Sequence, residues 1–135
     1  MAYGAEDRSK PLARVLMRAP GPAMAAADPA QWHYGPGFNP QRAESQHAQL
    51  ASIVAASGAK IHWIPSHDDG MSDAVFVQDP SFVTRAGAVV LNMGKALRRG
   101  EAALHVAARP EARGAVSEAM VRALLAERGE GAALP

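Results

Sequence analysis

A long helix-forming segment between two short apolar runs is the feature that most constrains the fold of this chain. Asn39 followed by Pro40 predicts a helix start, because Asn caps helix N-termini and Pro suits the first helical position. Gly58 predicts the end of the helix. The residues that recur at helical spacing in between are Ala43, His47, Leu50, Val54 and Ser57. Apolar runs at 14–18 and 60–64 predict a strand on either side, and strand, helix, strand is the order of an α/β unit.

The rest of the sequence predicts shorter elements separated by turn residues. The segment between residues 19 and 38 is rich in Pro and Gly and predicts a long loop. Gly87 lies where a turn between two strands would require a positive φ. The predicted elements are strands at 74–77, 81–84 and 88–93, with a hairpin formed by the last two, a basic loop over 94–101 and a helix over 117–128.

Composition limits the size of the fold and the class of partner. The 135 residues, 48% of them apolar, are enough for one domain with a sizeable core. The 14 basic and 13 acidic residues give a net charge of +1, which makes no electrostatic case for nucleic acid or an anionic membrane as a partner. A small polar substrate fits this charge balance better. No apolar run reaches the roughly 18 residues of a membrane span, and the first ten residues are polar, so we expect a cytoplasmic protein.

The sequence contains no cysteine. This excludes disulfides, cysteine-based metal sites and any thiol nucleophile supplied by this chain. The run His67-Asp68-Asp69 offers metal-ligand side chains, but adjacent residues in a turn rarely converge on one ion, and no second cluster completes a site. There is no Gly-rich phosphate loop or dinucleotide fingerprint. We therefore predict neither a metal nor a cofactor.

Two sequence blocks resemble those of a known family. Asp73, Phe76 and Asp79 match the pattern D-x-x-F-x-(E/Q/N/H)-D, and about twenty positions later the block 98–101, Arg-Arg-Gly-Glu, follows Gly94-Lys95. Together with the strand order around them, these blocks resemble the guanidino-group-modifying superfamily. This family, also called the penteins, includes dimethylarginine dimethylaminohydrolase, arginine deiminase and the amidinotransferases. The resemblance covers residues 14–102.

The resemblance implies a fold. Penteins are α/β propellers of five ββαβ-type modules around a central active site. Residues 1–135 would form a single incomplete domain that supplies about the first two modules, as the N-terminal portion of such a protein. Uncovered sheet edges and apolar faces would then favour self-association of the chain.

The resemblance also implies a chemistry. In this family a Cys thiolate attacks the guanidinium carbon, an amine or ammonia leaves with a His as acid and base, and water or an amine accepts the amidino group. Hydrolysis of arginine or a methylated arginine in this way gives citrulline. This sequence has no Cys, and none of its His residues lies where the family has the catalytic one. Glu127 falls near the position of the catalytic acid but belongs to a predicted helix end, so we assign it no role. We expect substrate-binding residues without catalytic ones, in a chain that is inactive alone.

Four residues match substrate-binding positions of the family. Asp79 matches the carboxylate that binds the guanidinium, and a carboxylate suits the planar fork of N–H donors. Asp73 matches a second acid, but in an extended strand it would lie about 20 Å from Asp79, so both can reach one ligand only if the chain bends. Gln78 stands where dimethylarginine hydrolases have Glu, which leaves the guanidino substrate open. Arg98 matches the residue that grips the substrate α-carboxylate.

Two other interpretations of these residues remain open. The chain could be a non-catalytic module that binds an arginine-like ligand. It could also be a structural α/β domain in which Asp79 begins a turn before Pro80 and the basic residues 95–99 belong to a solvated loop.

Overall fold

A parallel pair of strands joined by a long helix forms the first part of the fold. The computed structural model describes residues 9–67, 69–84 and 87–108. Strands β1 (Arg14–Met17) and β2 (Lys60–Trp63) pair in parallel, with Arg14 opposite Lys60. Helix α3 (Pro40–Ala56) connects them. The predicted order of strand, helix and strand is confirmed. Two neighbouring strands that run parallel need a long crossover connection, and α3 lies in that connection.

Helix α3 begins and ends at the predicted residues. The Asn39 side chain accepts a hydrogen bond of 2.8 Å from the backbone N–H of Arg42, and Gly58 takes a left-handed φ of 88° beyond the last turn. The inner face differs from the prediction at two positions: Leu50 is 51% exposed, and Ser57 is an exposed residue at the C-terminal cap. After Pro40, the half-buried positions of the helix are Ala43, His47, Ala51 and Val54, so Ala51 takes the place that Leu50 was expected to fill.

The segment between residues 19 and 38 is not a structureless loop, as the prediction had it. It contains two single helical turns, α1 (Pro22–Ala25) and α2 (Pro29–Trp32), each beginning with a proline. The Asp28 carboxylate caps α2 by accepting from the N–H of Ala30 at 2.9 Å. Trp32 is only 6% exposed. The turns therefore fold the segment back onto the domain and bury its largest side chain.

The prediction of a strand at 74–77 is wrong. Residues Ser72–Val75 form a 3₁₀ helix, and the N–H of Phe76 donates to the carbonyl of Asp73 at 2.9 Å. The N–H of Asp79 then donates to the carbonyl of Phe76 at 3.2 Å. Local hydrogen bonds thus satisfy the backbone that a strand would have paired with a neighbour. Phe76 is 43% exposed, so it is not the core residue of a strand.

The predicted hairpin is confirmed. Strands β3 (Ser81–Thr84) and β4 (Gly87–Val90) pair antiparallel, with Ser81 opposite Val90 and Thr84 opposite Gly87. Strand β4 begins at Gly87, which was expected in the turn, and ends at Val90 and not at residue 93 as predicted. The two residues between the strands lie outside the described part of the chain.

The basic block 94–101 is not a loop throughout, as predicted. Ala96–Arg98 form a 3₁₀ turn, and Glu101 opens helix α4 (Glu101–Ala107). The predicted helix over 117–128, with Glu127, lies outside the described residues.

Apolar side chains divide between a small core and an exposed surface. Ile53 is 68% exposed and Trp63 49%. Among the described residues no helix is long and apolar enough to cross a membrane. The propeller architecture stays a prediction, since the described residues form two separate two-stranded sheets. The buried apolar residues are Met17, Ala23, Met24, Trp32, Ala59, Ile64, Ala74, Ala88 and Val89.

Candidate functional site

The side chain of Arg98 lies where the 72–80 segment meets the start of helix α4. Its guanidinium donates 2.8 Å hydrogen bonds from Nε and Nη2 to the two carboxylate oxygens of Glu101. Nη1 donates to Asp79 Oδ2 at 2.8 Å, and Nη2 also lies 3.4 Å from the backbone carbonyl of Asp73. One guanidinium therefore holds the 3₁₀ helix, the residue before Pro80 and helix α4 together.

Glu101 is the buried half of this arrangement. It is 0% exposed, and the Arg98 side chain is 10% exposed. Arg98 in the 3₁₀ turn and Glu101 at the start of α4 are three positions apart. At this spacing the planar guanidinium and the planar carboxylate meet through two parallel hydrogen bonds, as a fork-to-fork pair. The hydrogen bonds to Glu101, followed by the one to Asp79, raise the pKa of Arg98, while burial acts in the opposite direction. Arg98 therefore stays a cation, and its closest acidic partner is the buried Glu101.

Asp79 is the most accessible carboxylate of the arrangement. Its side chain is 39% exposed, against 11% for Asp73 and 0% for Glu101. Gln78 beside it is exposed, and the ring of Phe76 lies 6.0 Å from Arg98 Cζ. Only Oδ2 of Asp79 contacts Arg98, and a carboxylate has acceptor capacity on both oxygens. Asp79 can therefore accept further hydrogen bonds from a cationic ligand.

Both carboxylate oxygens of Asp73 are occupied by protein groups. Tyr34 donates to Oδ1 at 2.8 Å, and Lys95 donates to Oδ2 at 3.0 Å. Because the single Tyr34 proton goes to Asp73, the Ser72 hydroxyl must donate to the Tyr34 oxygen, 2.5 Å away. Burial raises the pKa of Tyr34 to about 12, with Asp73 adding to the rise and Ser72 opposing it. The phenol therefore stays protonated and keeps donating across the neutral pH range.

Lys95 also joins this cluster to helix α2. Its Nζ lies 4.3 Å from the centre of the Trp32 ring and 3.4 Å from the Trp32 carbonyl, which adds a cation–π contact to the ion pair with Asp73. Tyr34 and Lys95 thus hold Asp73 from two sides.

Of the predicted site residues, the structure brings the side chains of Asp79 and Arg98 together, while the Asp73 carboxylate contacts other residues. Asp79 and Arg98 are in direct contact, and the chain does bend between Asp73 and Asp79, as a shared site requires. The Asp73 carboxylate faces Tyr34 and Lys95, and the nitrogens of Arg98 face protein oxygens.

Sequence reasoning missed the contacts of Tyr34, Trp32 and Glu101 in this site. For Tyr34 and Trp32, the signal in the sequence was the presence of aromatic residues in a segment rich in Pro and Gly. The three-residue spacing of Arg98 and Glu101 at a helix start was the signal for the third.

The His67-Asp68-Asp69 run supplies a structural ion pair. Arg18 Nη2 lies 2.6 Å from Asp69 Oδ2, and Asp69 Oδ1 accepts from the N–H of Met71 at 3.0 Å. Within the described ranges no group of three His, Asp or Glu residues could hold a metal ion. Asp69 therefore anchors the chain ahead of the 3₁₀ helix.

An open apolar groove lies elsewhere, between helix α3 and strand β2. The rings of His47 and Trp63 stand 6.0 Å apart there, and burial lowers the pKa of His47, so the groove contains a neutral imidazole at neutral pH. It carries no paired charges like those around Arg98. The residues that line it are Ala19, Pro20, Glu44, His47, Ala48, Ala51 and Trp63.

Comparison with known proteins adds no assignment to this geometry: no protein-family model matches the sequence, and no curated protein is significantly similar to it.

Proposed function

We propose that the surface around Asp79 binds the guanidinium group of a small arginine-like molecule. The observation that carries this proposal is the half-exposed carboxylate of Asp79, fixed through one oxygen by Arg98, whose own charge is balanced by buried Glu101. A fixed and partly exposed carboxylate suits the parallel N–H donors of a guanidinium.

The residues next to Asp79 fit the same ligand. Gln78 is exposed and carries both a donor and an acceptor. Phe76 is 43% exposed and offers an aromatic face to a planar cation. We propose that Asp79 and Gln78 contact the ligand and that Asp73, held by Tyr34 and Lys95, shapes the neighbouring surface.

The reaction that the sequence resemblance implies is hydrolysis of a C–N bond at the guanidino carbon, giving citrulline and an amine or ammonia. Covalent catalysis in this family requires a thiolate, and this sequence has no cysteine. We therefore propose that the chain supplies the substrate-binding part of such a site, within the first two modules of a pentein-type propeller, and does not catalyse the reaction alone. A cytoplasmic location belongs to the same proposal.

A structural role is the second candidate, and a specific observation favours it. Asp73, Asp79 and Glu101 each already have a basic partner within 3.0 Å. Such ion-pair networks also occur where they only fix the fold. In that case the surface around Asp79 would bind no guanidinium in preference to other cations.

Titration of the chain with arginine, dimethylarginine and citrulline separates the two candidates. Binding is followed by amide chemical shifts in NMR spectra. We expect arginine to bind more tightly than citrulline, whose urea group has the same shape without the charge. The Asp79→Asn variant should weaken arginine binding by about tenfold or more, because a charge-assisted pair is lost.

Glu44→Gln is the matched control, since it removes one carboxylate from the surface of α3. It should leave arginine binding unchanged. Equal affinity for arginine and citrulline, or equal effects of the two variants, would support the structural role and exclude the guanidinium site.

A further inference from the structure

Arg98 offers its N–H groups to the protein itself. Nε and Nη2 bind Glu101, Nη1 binds Asp79, and Nη2 also approaches the carbonyl of Asp73. A bidentate grip on a ligand carboxylate needs two parallel donors on one edge of the guanidinium. In the part of the chain that the structure describes, the Nε–Nη2 edge of Arg98 is already filled by Glu101. This geometry suits a residue that positions Asp79.

The charges of Arg98, Glu101 and Asp79 determine the net charge that a ligand encounters at this surface. Arg98 carries one positive charge, while Glu101 and Asp79 carry one negative charge each. Glu101 is fully buried and bidentate, so it is the residue that neutralises Arg98. Arg98 can therefore hold Asp79 by a hydrogen bond while the trio keeps a net charge of about −1, and that charge lies at the accessible Asp79.

We propose that Glu101 is a positioning residue: by neutralising Arg98, it lets Arg98 orient Asp79 and leaves the charge of Asp79 for the ligand. This inference rests on the proposed guanidinium site. It also names the ligand class. Because Arg98 is engaged by Glu101, the site recognises an alkylguanidinium cation with or without an α-carboxylate.

The first test uses the unaltered chain and two ligands of the same net charge, arginine and butylguanidine. We expect their dissociation constants to agree within about threefold, because the recognised group is the same. A ligand carboxylate gripped by Arg98 would instead contribute about tenfold or more. Arginine binding that much more tightly than butylguanidine would overturn the ligand class.

The second test uses Glu101→Gln, which keeps the shape of the side chain and frees the charge of Arg98. We expect the affinity for butylguanidine to fall about fivefold, the size of the interaction between two unit charges about 4 Å apart in bulk water, because the ligand lies at the solvent-exposed Asp79. The dependence of that affinity on salt concentration should also flatten, because the net charge near Asp79 falls to zero. Glu44→Gln removes the same charge from α3 and should change neither quantity.

The outcomes separate the inference from the proposed function. Butylguanidine binding that Asp79→Asn weakens but Glu101→Gln leaves intact, in both affinity and salt dependence, would overturn the role of Glu101 alone. A loss of affinity with unchanged salt dependence would also overturn it, since it would indicate a merely structural effect. If neither cation binds the unaltered chain, the proposed function fails and the inference fails with it.

Discussion

Removing the cation that faces Glu101 should be the most destabilising single change at this site. In the Arg98→Met variant the fully buried Glu101 carboxylate loses both of its 2.8 Å hydrogen bonds. Breaking a buried ion pair from one side costs about 3–5 kcal/mol. Asp79 adds at most about 1 kcal/mol, because its side chain is 39% exposed and water can replace Arg98 there. Such a loss is a large part of the roughly 5–15 kcal/mol that stabilises a typical domain.

The free energy of unfolding is measured by urea titration, followed by tryptophan fluorescence, to which the buried Trp32 contributes. Arg99→Met is the matched control at the neighbouring exposed residue and should change stability by no more than about 0.5 kcal/mol. The double variant Arg98→Met, Glu101→Leu removes both charges and should recover about 2 kcal/mol or more relative to Arg98→Met.

Two results would refute this reasoning. One is a loss below about 1 kcal/mol in Arg98→Met, the range of an exposed ion pair. The other is additivity in the double variant, which would mean that Arg98 and Glu101 do not depend on each other. If Arg98→Met does not fold, the free energies of unfolding of the conservative variants Arg98→Lys and Glu101→Gln are compared instead. Neither variant keeps the fork-to-fork pair, so both should be less stable than the unaltered chain.

Three further predictions concern other parts of the molecule. Because the pKa of Tyr34 is raised to about 12, its contribution to stability should be complete below pH about 10 and lost as the pH rises from there to about 12. The titration of Tyr34 is measured by phenolate absorbance in a Tyr3→Phe background, and a transition near pH 10 in the folded chain would contradict the raised pKa. Asn39→Ala removes the bond to the Arg42 N–H and should cost about 1 kcal/mol in urea unfolding, whereas Asn39→Asp should cost little. Ile53 is 68% exposed, so Ile53→Glu should reduce self-association in sedimentation experiments and change the free energy of unfolding by no more than about 0.5 kcal/mol.

Helix α3 and the strands around it could be predicted from sequence because their signals are local. The Asn39 cap, the Gly58 end and the short apolar runs depend on residues a few positions apart. The 3₁₀ helix Ser72–Val75 could not be predicted in this way. The run Val75-Phe76-Val77 favours a strand, but contacts from Tyr34, Lys95 and Arg98 stabilise a turn that propensity does not indicate.

For the candidate site, the sequence indicated residues rather than their contacts. The resemblance implied that Asp79 binds the guanidinium of a ligand and Arg98 its α-carboxylate. In the structure the two side chains contact each other, and their binding of a ligand stays a prediction. The spacing does not show which donor each carboxylate accepts from. That depends on packing between segments that are distant in sequence, and packing left Asp73 facing Tyr34 and Lys95.

The contacts of Asp73 also bear on when the site forms during folding. Tyr34 lies 39 residues before Asp73, and Lys95 lies 22 residues after it. Closing such loops costs chain entropy before the contacts return any stabilisation, so they form later than a local element such as α3. A growing chain would acquire the site only after residue 101 has left the ribosome, and ligand protection from proteolysis would report the completed fold rather than its early helix.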